Sequence, residues 1–122
     1  MLTSVPEIEV VNGVKILRFG PEFQTICEDL ILRLGPFLLR VGEEPPFVVI
    51  LDLSHTTFFS SSFIECLFRL WNRVKKNSGR MCLAGLTPNC ADIIHVTQLH
   101  RIWEIADSVE EAIHKFETIE AD

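Results

Sequence analysis

The sequence predicts an α/β domain in which a mostly parallel sheet is covered by helices. An Asn12–Gly13 turn joins two short strand-like runs near the N-terminus, and Asn-Gly is a strong signal for a β-hairpin. Residues 47–53, FVVILDL, form a continuous apolar run, which is typical of a strand buried on both faces of a parallel sheet. Helix-like and strand-like segments then alternate, as in a series of right-handed βα crossovers. The chain has 122 residues, so we expect one domain spanning residues 1–122.

The first helix is predicted after the break at Gly20–Pro21. Between residues 22 and 41, apolar side chains recur at helical spacing: Phe23, Ile26, Cys27, Leu30, Ile31 and Leu34. Gly35–Pro36 lies at the end of this pattern, and we expect it to kink or shorten the helix because proline has no backbone N–H to donate. The residues GEEPP then predict a loop before the central strand.

The second helix is predicted over residues 61–77, directly after the central strand. Its apolar positions are spaced by three and four residues: Ile64, Leu67, Phe68, Trp71 and Val74. The polar positions of the same segment lie on the other side: Glu65, Arg69, Asn72, Arg73 and Lys76. This pattern predicts an amphipathic helix with its apolar face on the sheet.

The remaining segments complete the alternation of strands and helices. Residues 80–86, RMCLAGL, and residues 102–105, IWEI, are typical of short strands. Residues 87–99 begin with Thr-Pro, a capping residue followed by proline at the first helical position, and predict a short helix. Asp107 or Ser108 then caps the last helix. Its predicted apolar face consists of Val109, Ala112, Ile113 and Phe116.

Composition argues against several classes of function. The net charge of −6 argues against a general nucleic-acid-binding protein, because affinity for phosphates requires a surplus of basic residues. The apolar runs are far shorter than the roughly 20 residues of a membrane-spanning helix. The first residues, MLTSVPEIEV, lack a basic segment leading into an apolar one, so we expect a cytoplasmic protein without membrane contact.

The four cysteines form no C-x-x-C pair, and we expect them to be reduced core residues: Cys27, Cys66, Cys82 and Cys90. The spacing of Cys90, His95 and His100 does not stack on one helix face, which argues against a metal site. No P-loop or Gly-x-Gly-x-x-Gly motif occurs. We therefore expect no metal and no cofactor.

Charge is unevenly distributed along the chain. Residues 69–80 hold five of the eleven Lys and Arg, whereas residues 101–122 hold seven Asp and Glu against two basic residues. Two interpretations remain open. The basic run is either a solvated helix face or a surface that steers a complementary protein toward this one.

The richest polar segment at a strand end is DLSHTTFFSSS, residues 52–62. Sites on open parallel sheets lie beyond the carboxyl ends of the strands, so this segment is the candidate functional site. Serines are also common helix caps, which gives the serine run a purely structural interpretation. Nucleophilic catalysis at Ser61 is disfavoured, because the sequence has no Gly-x-Ser-x-Gly and no nearby glycine that could help to form an oxyanion hole.

This segment resembles the signature of the STAS domain, the module of bacterial anti-sigma-factor antagonists. That signature commonly reads Asp-Leu-Ser, a few residues, an apolar pair, and then Asp-Ser-Ser-Gly. The residues that match it are Asp52, Leu53, Ser54, Thr57, Phe58 and Phe59. Residues 80–113 are similar to the second half of the family, and the resemblance runs from the hairpin to Phe116. Two positions depart from the family pattern, since Ser60 stands where aspartate is usual and Phe63 where glycine is usual.

The resemblance implies a STAS fold and a non-enzymatic, regulatory function. The protein would bind an anti-sigma factor that is also a serine protein kinase, and phosphorylation of Ser61 would switch that binding off. Ser60 and Ser62 are less favoured phosphoacceptors. The partner-binding residues implied by the resemblance are Asp52, Ser54, Thr57, Phe59, Ser60 and Phe63. The alternative is a STAS scaffold or interaction module that is not phosphorylated, and self-association into a homo-oligomer is left open.

Overall fold

The computed structural model describes residues 5–121, with side chains up to residue 117. In chain order its elements are β1 (Glu7–Val11), β2 (Val14–Arg18), β3 (Thr25–Ile26), α1 (Glu28–Glu43), β4 (Val48–Asp52), β5 (Phe58–Phe59), α2 (Ser61–Lys76), β6 (Arg80–Ala84), α3 (Pro88–Val96), β7 (Glu104–Ala106) and α4 (Val109–Ala121). Short 3-10 turns lie at Pro21–Phe23 and Leu99–Arg101.

The main sheet has five strands in the order β1-β2-β4-β6-β7. β1 and β2 form an antiparallel hairpin, and the other three pairs are parallel. Asn12 and Gly13 have φ values of 50° and 80°, the left-handed conformation that a tight hairpin turn requires. β4 lies in the middle, with Val49, Ile50 and Leu51 completely buried. The predicted hairpin, central strand and mostly parallel α/β architecture are confirmed.

The core has two parts, one on each face of the sheet. The larger part lies between the sheet and α1, α2 and α3, and it includes Leu51, Leu67 and Trp103. The smaller part includes Ile16 and Ile50 from the sheet, together with apolar residues of α4. β4, the strand that leads into the candidate site, is therefore packed on both faces, with Leu51 in the larger part of the core and Ile50 in the smaller part.

The first helix begins later than its apolar spacing predicts. Phe23 lies in a 3-10 turn, Ile26 lies in β3, and Cys27 is the N-cap of α1. The reason is a pairing distant in sequence, because β3 forms a second small parallel sheet with β5. Gly35–Pro36 does not shorten the helix as one expectation had it, since α1 continues to Glu43. Proline removes a single backbone donor, and buried side chains beyond it still hold the helix on the core: Leu38 and Val41.

α2 covers the predicted residues, but its buried face is rotated from the predicted one. The fully buried side chains of α2 are Phe63, Cys66, Leu67, Leu70 and Val74. Ile64, Phe68 and Trp71 are only partly buried at the rim of the core. The rotation follows from two neighbours, because α2 packs on α1 as well as on the sheet. At this contact, a Cβ built on Gly35 would lie 3.9 Å from the Cys66 sulfur.

Of the two residues predicted to cap the last helix, Ser108 caps it. The Ser108 hydroxyl accepts a hydrogen bond from the Glu111 N–H at 3.1 Å, and the Glu111 carboxylate accepts one from the Asp107 N–H at 2.6 Å. This reciprocal arrangement is close to a capping box. Within residues 5–121, no helix is both long enough and apolar enough to cross a membrane.

Candidate functional site

The candidate site is the connection between β4 and α2, at the carboxyl edge of the sheet. It leaves the sheet with Leu53 buried, and the Leu53 N–H donates to the carbonyl of Ala84 on the neighbouring strand at 3.0 Å. The Asp52 carboxylate accepts one hydrogen bond from the Ser54 N–H at 3.1 Å and another from Arg18 at 3.0 Å. Asp52 therefore fixes the exit of the chain from β4, with its charge already paired.

Thr56 anchors the middle of the connection. Its side chain is fully buried, and its hydroxyl donates to the carbonyl of Phe23 at 2.9 Å. The Thr56 carbonyl accepts a hydrogen bond from the Thr87 hydroxyl at 2.7 Å and is also contacted by the Cys90 thiol at 3.3 Å. Burial raises the pKa of the Cys90 thiol, which keeps it protonated as a weak donor at neutral pH. Thr87 occupies the predicted cap position of α3, but its hydroxyl serves this loop instead of the helix.

Residues 57–59 are exposed on one side and held by hydrogen bonds and core packing on the other. The Thr57 N–H donates to the carbonyl of Gln24 at 2.8 Å, and the Thr57 carbonyl accepts from the Asn89 side chain at 2.8 Å. Phe58 is 41% exposed, whereas Phe59, the next residue of the same strand, is 1% exposed. Because neighbouring strand residues point to opposite faces, one phenylalanine faces solvent and the other enters the core.

The three serines at the start of α2 have three different environments. Ser60 is the N-cap, its N–H donates to the Ile26 carbonyl at 2.9 Å, and its hydroxyl oxygen is buried without a hydrogen-bond partner. Ser61 is the first residue of the helix and is exposed. The Ser62 hydroxyl donates to the carboxylate of Glu28, the first residue of α1. Ser61 is therefore the most accessible hydroxyl of the three.

The helix start lacks an acceptor from its own chain segment. The Ser60 side chain makes no capping hydrogen bond, and the first turn of α2 contains no acidic residue. The partial positive charge of a helix N-terminus therefore remains available to an anion. The first turn of α1 carries Glu28 and Asp29, and the contact between Glu28 and Ser62 brings one of these carboxylates to the serines.

Two predicted partner-binding residues lie in the core. Phe63 is 0% exposed, and its ring packs against those of Phe59 and Phe19, with centroids 5.3 and 5.9 Å apart. The expectation that Phe59 and Phe63 contact a partner is therefore corrected, because neither side chain is available at the surface. The bulk of Phe63, where the family usually has glycine, fills an aromatic cluster beneath the site.

The structure brings the other predicted residues to the same connection. Ser54 and Thr57 are exposed, Asp52 is partly exposed, and Ser60 is half-buried. The sequence did not predict four residues that contribute to this site. Gln24, Glu28 and Asn89 come from other segments of the chain, and Phe58 is the exposed neighbour of Phe59, which had been predicted instead. Strand alternation could have separated Phe58 from Phe59, but nothing in the local sequence pairs residues 24 and 28 with residues 57 and 62.

The comparisons with known proteins assign the family. The STAS domain model matches residues 5–112, so the chain belongs to the STAS domain family. An anti-sigma-factor antagonist (STAS) domain protein from Planctomyces limnophilus is 27% identical, with a TM-score of 0.84 over 90% of this chain and 96% of that chain.

More distant structures share the fold. An anti-sigma factor antagonist from Mycobacterium paratuberculosis is 20% identical, with a TM-score of 0.78 over 94% of this chain and 96% of that chain. A sulfate transporter family protein from Wolinella succinogenes is 16% identical, with a TM-score of 0.75 over 93% of each chain. A search of curated protein sequences found no match. The fold is therefore shared by proteins described in different functional terms.

Proposed function

We propose that this protein is an anti-sigma-factor antagonist that is switched by phosphorylation of Ser61. It binds an anti-sigma factor that is also a serine kinase, and it is the substrate of that kinase in the cytoplasm, with no catalytic activity of its own. The observation that carries this proposal is the exposed Ser61 hydroxyl at the uncapped start of α2, beside other exposed residues of the same connection. The similarity to the Planctomyces limnophilus antagonist supports it.

The chemistry of the three serines favours Ser61 as the phosphoacceptor. The Ser60 hydroxyl is buried, and the Ser62 hydroxyl is engaged by Glu28. A phosphoryl group on Ser61 adds a charge of about −1.5 to −2 and three acceptor oxygens. The N-terminus of α2 tolerates this charge locally, whereas an acidic partner surface is repelled and a closely packed interface is obstructed.

The partner surface consists of the exposed part of the connection. Ser54, Thr57 and Phe58 are its contact residues, with Asp52 and Ser60 holding the backbone at either end. Phe58 supplies the exposed aromatic side chain that Phe59, being buried, does not. Exposed aromatic residues are common anchors at protein interfaces.

The test uses tagged protein recovered from its source cells. Mass spectrometry should place phosphate on Ser61, and an anti-sigma factor with kinase activity should be recovered with the unphosphorylated form. When the recovered kinase is supplied with ATP and Mg²⁺, the Ser61→Ala variant should not be phosphorylated. The variant should still bind this partner. Ser61→Asp should weaken partner binding, although a carboxylate carries less charge than a phosphate.

Ser78→Ala is the matched control, because it removes an exposed hydroxyl just beyond the C-terminal end of α2, outside the partner surface, and should leave labelling and partner recovery unchanged. If Ser61→Ala leaves both labelling and partner recovery unchanged, the phosphorylation switch is wrong. The protein is then a STAS scaffold whose partner binding is independent of this serine.

A further inference from the structure

A second surface feature is not lined by any residue of the β4–α2 connection. It is a cavity of about 640 Å³ between α3, the segment 99–107 and α4. Its apolar lining residues are Leu86, Ala91, Ile94, Ile102, Trp103, Ile105 and Ala106. The volume is in the range of small-molecule sites, and an apolar lining with a few polar groups is typical of them.

Two polar groups in the lining have no partner within the described part of the chain. Trp103 is 2% exposed, and its indole nitrogen is buried without a hydrogen-bond acceptor. The Nδ1 atom of His100 is likewise buried and unpaired. Leaving a buried polar group unpaired costs about 1–3 kcal/mol, and the indole nitrogen can only donate. A ligand that satisfies it must present an acceptor.

The charges around the cavity favour an anionic acceptor. Both carboxylate oxygens of Glu104 are taken by Arg80, at 2.8 and 2.5 Å. Arg101 and Lys115 each make one hydrogen bond in the structure and have further N–H donors to offer. Asp107 is the other acidic lining residue, so two basic side chains of the lining face one carboxylate that Arg80 does not neutralise.

The lining also provides aromatic surface. The rings of His95 and His100 lie 4.2 Å apart, measured between centroids, with planes 32° from parallel. Trp103 is the third ring in the lining. Flat aromatic ligands pack well against such surfaces.

We propose that this cavity is a binding site for a small aromatic carboxylate. The carboxylate accepts hydrogen bonds from the Trp103 indole and from Arg101, and the ring packs among the apolar and histidine side chains. The lining contains no residue of the 52–62 segment, so this site is separate from the surface around Ser61.

The protein contains only two tryptophans, which gives a direct test. In a ¹H–¹⁵N spectrum, the indole resonances of Trp71 and Trp103 are assigned by Trp71→Phe and Trp103→Phe. Titration with 2-naphthoate should shift the Trp103 resonance and leave that of Trp71 in place, with a Kd of about 1 mM or lower. The neutral isostere 2-naphthamide should bind at least about tenfold more weakly, a difference of about 1.4 kcal/mol.

Two variants locate the site and its charge. Ala91→Phe fills the cavity and should weaken 2-naphthoate binding at least about tenfold, whereas Asp92→Phe places the same ring on the exposed side of α3 and should not. Arg101→Gln keeps the exposed surface polar and should reduce binding of the carboxylate but not of the amide. No shift of the Trp103 resonance at about 5 mM, equal binding of the amide, or no effect of Ala91→Phe would each overturn the proposal.

Discussion

At the scale of single residues, the candidate site depends on Thr56. Thr56→Val keeps the shape of the side chain but leaves the Phe23 carbonyl without its buried donor. We expect the free energy of unfolding to fall by about 1–3 kcal/mol in urea denaturation. Thr57→Val is the matched control, because the Thr57 side chain is exposed, and it should cost about 0.5 kcal/mol or less. Equal effects of the two variants would show that the Thr56 hydrogen bond does not anchor the loop.

Cys82 should make the protein less stable as the pH rises into the alkaline range. Burial raises the pKa of the Cys82 thiol from 9.0 to about 12. Above about pH 9 the unfolded chain therefore loses this proton while the folded chain keeps it, so stability falls as the pH rises. We expect the free energy of unfolding to decrease by about 1 kcal/mol between pH 8 and 10 from this residue alone.

The measurement is a series of urea denaturation curves across this pH range. Cys82→Ala lowers stability at every pH because it leaves a cavity, but its curve against pH should be flatter than that of the unchanged protein. The difference in slope isolates Cys82 from other titrating groups, including Cys66, whose pKa burial also raises. Parallel curves for the two proteins would contradict the prediction.

At the scale of elements, α2 shows how burial decides the cost of a substitution. Leu67 is 0% exposed in the larger part of the core, and Leu67→Ala should lower the free energy of unfolding by about 2–5 kcal/mol. Trp71 is only partly buried, with the Lys75 ammonium 4.6 Å from its ring centroid. Trp71→Ala should therefore cost less than Leu67→Ala.

Urea denaturation of the two variants, with the exposed Glu65→Ala as control, checks this order. Glu65→Ala should change stability by about 0.5 kcal/mol or less. A larger loss for Trp71→Ala than for Leu67→Ala would mean that the apolar face of α2 is the one predicted from spacing and not the one seen in the structure.

The elements that the sequence predicts correctly are those determined by local signals. The Asn12–Gly13 turn, the continuous apolar run of β4 and the Thr-Pro start of α3 each depend on neighbouring residues. The predicted start of α1 was wrong because Thr25–Ile26 pairs with Phe58–Phe59. This contact joins distant segments, and the spacing of apolar residues within one segment cannot predict it.

The same distinction applies to the candidate site. Residues 52–62 were identified from their position after the central strand, and Ser61 does begin α2. The burial of Phe63 and the contact between Glu28 and Ser62 depend on how α1 and α2 pack together, so they could not be obtained from the motif.

At the scale of the whole molecule, one sheet supports both parts of the core. Ile16, Ile50 and Cys82 pack toward α4, and the neighbouring residues of the same strands pack toward α1 and α2. Loss of packing on one face of a strand disturbs the backbone that also positions the side chains on its other face. We therefore expect the two parts to unfold together, as one domain.

Phe116→Ala tests this expectation from the smaller part of the core. Phe116 is 3% exposed, and the Arg80 guanidinium lies 4.3 Å from its ring centroid. Its truncation should lower the free energy of unfolding by about 3–5 kcal/mol, and the exposed Glu117→Ala on the same helix should have little effect. Trp103 lies in the larger part of the core, so its fluorescence reports on the opposite face of the sheet.

If the molecule is one cooperative unit, Phe116→Ala should shift the urea midpoints measured by tryptophan fluorescence and by far-ultraviolet circular dichroism by the same amount. A midpoint that falls in circular dichroism but stays unchanged in fluorescence would mean that α4 detaches while the larger part of the core remains folded. Such a result would mean that α4 does not belong to the cooperative unit that carries the partner surface. Coincident shifts would mean that the packing of α4 stabilises that surface from the far side of the sheet.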